Sequence, residues 1–278
     1  MDGSPQTDAP TAKDFKSEYK PVWCPGCGDF SVLSAFTKAL AEWGRPKEDV
    51  AIISGIGCSS RIPAYTSVYG FHGVHGRALA LATGLKVARP DLTVIATGGD
   101  GDGFSIGGNH FIHACRRNVD LTYVVMDNEV YGMTKGQASP TTAPDWTASK
   151  LTPHGTGVSP FNPLGVALAA GATFIARGFS GDPNGLAKLI LEGIQHPGFS
   201  MIQVLSPCVT FRPEQRDWKK MVREAPMERT DDTSRAGRLL MTDDGFNMGV
   251  LYQTHRPVYQ PDLSGATPMA DIESKFAI

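Results

Sequence analysis

The chain has 278 residues, enough to bury a sizeable core in one large α/β domain or two smaller ones. Its 26 Lys and Arg stand against 28 Asp and Glu, a formal net charge of −2, so no basic surface argues for nucleic acid or an anionic membrane as a partner. No apolar run is long enough to span a membrane, and residues 1–13 are polar rather than signal-like, so a cytoplasmic protein is expected.

Residues 1–15 lack apolar periodicity and read as a flexible arm. The first informative segment runs from Trp23 to Phe30 and holds Cys24 and Cys27 with Pro25 and Gly26 between them. Such a knuckle turns two sulfurs toward one metal centre, and the same spacing also suits a redox dithiol. A helix-like run over 31–43 follows, then a short buried strand at 51–54 whose C-terminal end opens into the glycine loop 55–61 carrying Cys58. Next, His75, Gly76 and Arg77 precede a helix whose small residues Ala78, Ala80, Ala82 and Gly84 let it pack closely on a sheet. A histidine alone is usually structural. Beside a diphosphate, His75 can donate a hydrogen bond to phosphate or to a reacting oxygen.

Residues 92–97 are apolar and β-branched without alternation, a buried strand. It runs into Gly98, Gly99, Asp100, Gly101, Asp102 and Gly103, where the glycines permit a tight turn into a helix and leave room for a cofactor phosphate. After a crossover helix completed over 112–118, a second buried strand at 121–126 delivers Asp127, Asn128 and Glu129 at its C-terminal end, where open parallel sheets bind ligands. Asp100 and Asn128 are 28 positions apart, the length of one strand-helix-strand crossover. Their oxygens suit Mg²⁺ bridging a diphosphate, with a backbone carbonyl near Val130 as a third ligand. This looks like the thiamine diphosphate motif, which opens with Gly-Asp-Gly and closes with Asn; here 26 residues separate Gly101 from Asn128.

Residues 138–163 read as a long loop, ordered by substrate or partner. Helices over 164–170 and 184–195 flank a short strand at 172–176, and a last buried strand at 200–205 leads to Cys208. His154 and His196 are ordinary loop or helix-end residues. From Glu214 the chain turns polar, and 245–278 reads as an extended arm laid on a partner.

Five cysteines in a chain without an export signal disfavour a disulfide framework. Cys115 falls inside a helix and reads as a buried structural thiol. Cys24, Cys27, Cys58 and Cys208 all lie in loops, a four-thiolate set. Zinc and a 4Fe-4S cluster both accept it, and spacing alone does not separate them. A redox centre beside thiamine has a chemical use, which favours the cluster.

Together these segments resemble the β subunit of a 2-oxoacid:ferredoxin oxidoreductase, nearest the 2-oxoglutarate type, over about residues 16–220. The resemblance is carried by 23–28, by 55–60, by 75–78, by 98–103, by Gly107, Gly108 and Asn109, by Asp127 and Asn128 with 131–137, and by 206–208. It implies an α/β thiamine diphosphate-binding fold, a mostly parallel sheet with helices on both faces, in a domain over 16–220 between an N-terminal arm (1–15) and a C-terminal arm (221–278). It implies a single 4Fe-4S cluster on Cys24, Cys27, Cys58 and Cys208, and Mg²⁺ on Asp100, Asn128 and the Val130 carbonyl. The cofactor itself would contact Gly57, Cys58, Ser59, His75, Gly99, Asp100, Gly101, Asp102, Asn128, Val130, Tyr131, Gly132, Met133 and Thr134.

The implied activity is oxidative decarboxylation of 2-oxoglutarate to succinyl-CoA and CO₂, or its reverse, with coenzyme A as co-substrate and electrons passed through the cluster to ferredoxin. His75 would be catalytic, Arg61 would meet the 2-oxo acid carboxylate through its guanidinium fork, and Lys135 a distal carboxylate, with Met133 shaping the pocket. An α subunit would supply the glutamate that activates the cofactor and build an (αβ)₂ heterotetramer; the chain alone would be inactive. Pyruvate, branched-chain and aryl 2-oxo acids are competing substrates. A non-redox thiamine enzyme half would leave the four cysteines unexplained, and a zinc-stabilised binding module would leave the metal-diphosphate motif idle.

Overall fold

The computed structural model describes residues 10–226, 228–260 and 274. In chain order these residues form α1 (Asp29–Trp43), β1 (Val50–Ser54), α2 (Ile62–Tyr65), β2 (Tyr69–His72), α3 (Ala78–Ala88), β3 (Thr93–Gly99), α4 (Gly108–Arg117), β4 (Leu121–Asp127), the short pair β5 (Val130–Tyr131) and β6 (Gln137–Ala138), α5 (Pro163–Ala169), β7 (Phe174–Phe179), α6 (Pro183–Gln195), β8 (Phe199–Leu205), α7 (Trp218–Met221), β9 (Arg223–Glu224), α8 (Thr233–Thr242) and β10 (Asn247–Gln253). Among the described residues no helix is long and apolar enough to cross a membrane.

Eight strands make one sheet in the order β2-β1-β3-β4-β8-β7-β10-β9. Pairing is parallel from β2 through β7, and β10 then runs antiparallel to β7. The central strands β4 and β8 are buried at every position, which is why they carry apolar residues without alternation. Their side chains feed two cores. Ile52, Ile95, Val124 and Ile202 meet α1 and α6 on one face, while Val94, Tyr123, Val125 and Met201 meet α3, α4, α5 and α8 on the other. Fully buried Cys115 sits in the second core, on α4. The chain leaves β1 toward β2 and β3 toward β4, so the sheet order reverses between β1 and β3 and opens a crevice above their C-terminal ends.

The C-terminal boundary differs from the sequence reading. Residues 221–253 are not an arm: α8 packs on α5, and β10 extends the main sheet. The rest of the expected arm runs along the opposite end of the sheet as far as 260, where the Arg256 guanidinium donates to the carbonyls of Cys115, Arg116 and Gly171. Residues 261–273 and 275–278 of that arm lie outside the described residues, as do 1–9 of the N-terminal one. Phe15, assigned to the N-terminal arm, is instead buried against α1 and α2.

At that same lower end, His196 accepts or donates one bond with Thr173 Oγ1 (2.9 Å) and stacks on His255 at 5.7 Å. Burial, with His255 beside it, pushes its pKa down to about 4. The unfolded chain therefore takes up a proton near pH 6.5 that the folded chain refuses until about pH 4, and stability falls as pH drops through that window. We expect the urea midpoint to decline from pH 7 to pH 5 and the decline to shrink in His196→Phe; an unchanged slope in the variant would assign the effect elsewhere.

Candidate functional site

A cavity of about 410 Å³ occupies the crevice. All fourteen residues expected to contact the cofactor line it: Gly57, Cys58 and Ser59 after β1, His75, Gly99 to Asp102 after β3, and Asn128 with Val130 to Thr134 after β4. Asp29, Ile56, Met126 and Gln137 line it as well and were not foreseen. Arg61 and Lys135 are exposed and do not line it, although Lys135 directly follows lining Thr134 and Arg61 stands two residues beyond lining Ser59.

The floor is built differently from the turn that the glycines suggested. Strand β3 continues through Gly98 and Gly99, and helical backbone starts at Asp100 with no intervening loop, passing through a π-helical turn at Asp102–Ile106. None of the four glycines in 98–103 has positive φ. They are needed for room: a Cβ at Gly101 would strike the Tyr131 ring, and one at Gly98 would lie 2.9 Å from the Tyr123 hydroxyl. Tyr131 holds the same turn by donating to the Gly101 carbonyl at 3.0 Å.

Asp100 is 2 % exposed, with Asp127 behind it, equally buried. One hydroxyl, that of Thr141, lies 2.9 Å from Asp100 Oδ2 and 2.8 Å from Asp127 Oδ1. Burial first, and then the neighbouring carboxylate, pushes the Asp100 pKa up. Such a pair is poised for a divalent cation, whose charge would relieve both. Asn128 stands across the floor, its Oδ1 taking the Val130 N–H at 3.1 Å. The next residue, Glu129, has φ of 54° and is clamped by Arg212, which donates to its carboxylate (2.8 Å) and carbonyl (3.0 Å) while stacking on Trp146 at 4.6 Å.

Asp102 faces into the protein as much as into the cavity. Its Oδ1 accepts from Ile56 N (2.9 Å), Gly76 N (2.7 Å) and His75 Nδ1 (2.8 Å). Because two backbone donors already fix that oxygen as an acceptor, His75 must carry its proton on Nδ1. Its Nε2 then accepts when the ring is neutral and donates only when the ring is charged. This narrows the hydrogen-bond donor expected of His75 to its cationic form.

The four loop cysteines converge beside the cavity. The Cys24–Cys27 knuckle docks on the loop after β8, with Gly28 N donating to Pro207 O (3.2 Å) and Gly26 lying against Val209. Trp23 Nε1 donates to the Cys58 carbonyl at 2.8 Å. A Cβ on Gly132 would sit 3.9 Å from both the Cys58 and the Cys208 sulfurs. Burial, the Asp29 carboxylate and the other sulfurs push the Cys58 thiol up to about 11, and burial together with Asp29 raises Cys27 further. Buried thiols such as Cys27 and Cys58 are donors that iron or zinc would convert to thiolates on binding. Among the described residues no three His, Cys, Asp or Glu side chains converge closely enough to hold one bare ion.

Residues 55–204 match the thiamine pyrophosphate enzyme family, C-terminal TPP binding domain. The chain is 40 % identical over 265 residues to the 2-oxoacid:ferredoxin oxidoreductase subunit beta of a Sulfolobus species, covering 88 % of this chain and 86 % of that one. The chain belongs to the β subunits of the 2-oxoacid:ferredoxin oxidoreductases. It is 49 % identical over 210 residues to the 2-oxoglutarate oxidoreductase subunit KorB of Mycobacterium tuberculosis, covering 75 % of this chain but only 56 % of that one. Among solved structures, it superposes with a TM-score of 0.89, at 40 % identity and over 99 % of this chain and 98 % of that chain, on 2-oxoglutarate:ferredoxin oxidoreductase from Magnetococcus marinus with 2-oxoglutarate, coenzyme A and succinyl-CoA bound. A β subunit implies an α subunit, and the matched segment is a thiamine diphosphate-binding domain.

Proposed function

We propose that this β subunit serves a CoA-dependent oxidoreductase that converts 2-oxoglutarate to succinyl-CoA and CO₂ and reduces ferredoxin. The observation that carries the reading is adjacency: Cys58 and Gly132 both line the cavity, and a Cβ on Gly132 would lie 3.9 Å from the Cys58 and Cys208 sulfurs alike. The similarity to the M. tuberculosis and M. marinus 2-oxoglutarate oxidoreductases supports the choice of 2-oxo acid. When bound, thiamine diphosphate supplies the electron sink for decarboxylation, and a 4Fe-4S cluster accepts electrons singly.

The chain's own residues then divide the work. Asp100, Asn128 and the Val130 carbonyl hold Mg²⁺, and Cys24, Cys27, Cys58 and Cys208 hold the cluster. His75, oriented by Asp102, exchanges a proton at Nε2 with the reacting group. Arg61 and Lys135 meet substrate carboxylates from the rim, and the α subunit closes the cavity, brings the activating glutamate and completes an (αβ)₂ assembly.

Anaerobic purification with the α subunit tests this directly. We expect roughly four iron per β chain, lost in Cys208→Ser, and bound thiamine diphosphate, lost in Asp100→Ala. Zinc in place of iron would overturn the redox reading. The Sulfolobus relative bears the broader 2-oxoacid name, so kcat/KM is to be compared across 2-oxoglutarate, pyruvate, branched-chain and aryl 2-oxo acids. Preference for any of the others would overturn the substrate assignment.

A further inference from the structure

A line of buried polar side chains runs from the cavity floor across the sheet to the C-terminal segment. It begins at Asp100 and passes through the Thr141 hydroxyl to Asp127 Oδ1. The other Asp127 oxygen accepts from Gln203 Nε2 at 2.7 Å, and Gln203 Oε1 accepts from Arg177 Nε at 2.9 Å. Arg177 Nη1 in turn donates to Asp243 Oδ2 (2.9 Å) and to the Asn247 carbonyl (3.3 Å). Asp127, Thr141, Gln203 and Arg177 are each at most 8 % exposed, as is the Asp243 side chain.

The direction of the line is fixed chemically. A guanidinium only donates, so Gln203 must turn its oxygen to Arg177 and its amide nitrogen to Asp127. Asp127 is therefore an acceptor at both oxygens, and Oδ1 also lies 3.2 Å from the Glu129 N–H. Gln203 and Arg177 face each other across β8 and β7, inside a sheet whose two faces pack against apolar cores. Buried ion pairs in such places are generally no more stable than the apolar residues that would replace them, which points to a role other than stability.

We infer that Gln203, Arg177 and Asp243 are positioning residues of the metal site, holding Asp127 so that Thr141 and Asp100 present a fixed carboxylate to Mg²⁺. The inference rests on the thiamine diphosphate reading of the cavity. Its anchor, Asp243, follows α8 and lies outside the segment that matches the thiamine family, so the C-terminal elements complete the cofactor site from behind.

The test is an Mg²⁺ titration of the αβ complex at saturating thiamine diphosphate, followed calorimetrically, with iron content and thermal unfolding recorded alongside. Gln203→Leu and Asp243→Asn should bind Mg²⁺ about 10- to 100-fold more weakly with iron retained, the usual consequence of losing a partner behind a metal ligand. Thr173→Ala, which breaks buried bonds to Asn118 and His196 at the far end of the sheet, should lose stability and keep wild-type Mg²⁺ affinity. Should Gln203→Leu fail to assemble, Asp243→Asn, which preserves shape and removes only charge, decides. Wild-type Mg²⁺ affinity in the folded variants would overturn the inference and leave the cofactor reading intact. Wild-type affinity in Asp100→Ala as well would overturn both.

Discussion

Asp102→Ala is expected to lower the melting temperature by about 5–15 °C and turnover by about 100-fold. The stability loss follows from what the carboxylate satisfies. Removing it leaves the Ile56 and Gly76 N–H groups without an acceptor under the cavity floor, and each unpaired buried donor costs about 1–3 kcal/mol. In a chain of this size each kcal/mol moves the melting temperature by about 2–4 °C. The loss of turnover follows from His75, whose Nδ1 proton would lose its fixed partner, so that Nε2 is no longer reliably the free position. Asp102→Asn separates the two effects. Its amide oxygen still accepts from both backbone donors, and its nitrogen takes the place of the unpartnered Oδ2, near the Tyr123 hydroxyl. Stability should therefore stay near wild type while turnover falls, because the charge facing the imidazole is gone. Wild-type turnover in Asp102→Asn would remove His75 from the chemistry.

What could be read from sequence was whatever repeats locally. Strands β1, β3, β4 and β8 announce themselves as β-branched apolar runs because both of their faces are buried, and a polar or glycine break marks each C-terminal end. That Asp100 and Asn128 meet at one cavity was legible because one strand-helix-strand crossover brings two successive strand ends together. The C-terminal elements were not. Helix α8 does carry a helical period, with Ala236, Leu239 and Leu240 on one face, but it is short and set in a polar, charged stretch that reads as solvated; β10 mixes Asn247, Gly249 and Gln253 with apolar residues and is completed as a strand by β7. Asp29, Thr141, Gln203 and Gln215 were invisible for another reason. Each is a single polar residue whose meaning lies in a partner far along the chain, as Ser206 is for Asp29, 177 positions away at 2.8 Å. Asp29 shows the consequence: burial lifts its pKa to about 6 in spite of the Ser206 and Cys27 hydrogen bonds, and no neighbouring residue in the sequence foretells it.

Gln215→Leu should reduce thiamine and iron together, which neither Asp100→Ala nor Cys208→Ser is expected to do. Gln215 is 1 % exposed, and its amide joins the two halves of the site. Nε2 donates to the Asn128 carbonyl at 2.7 Å, while Oε1 accepts from Cys208 N at 2.9 Å. One side chain therefore sets the loop carrying Asn128, the proposed Mg²⁺ ligand, against the loop carrying Cys208, the proposed cluster ligand. Leucine fills the space and satisfies neither group, at a cost of about 2–4 kcal/mol if both are left unpaired. The two loops can escape that cost only by moving apart, and each then leaves the position that its own centre requires. Gln215→Glu discriminates between the halves, since a carboxylate still accepts from Cys208 N but turns an oxygen toward the Asn128 carbonyl. Iron should stay near wild type and thiamine diphosphate should be lost. Iron and thiamine measured on the same purified αβ samples decide the matter: full occupancy of both in Gln215→Leu would show that the two centres are held independently.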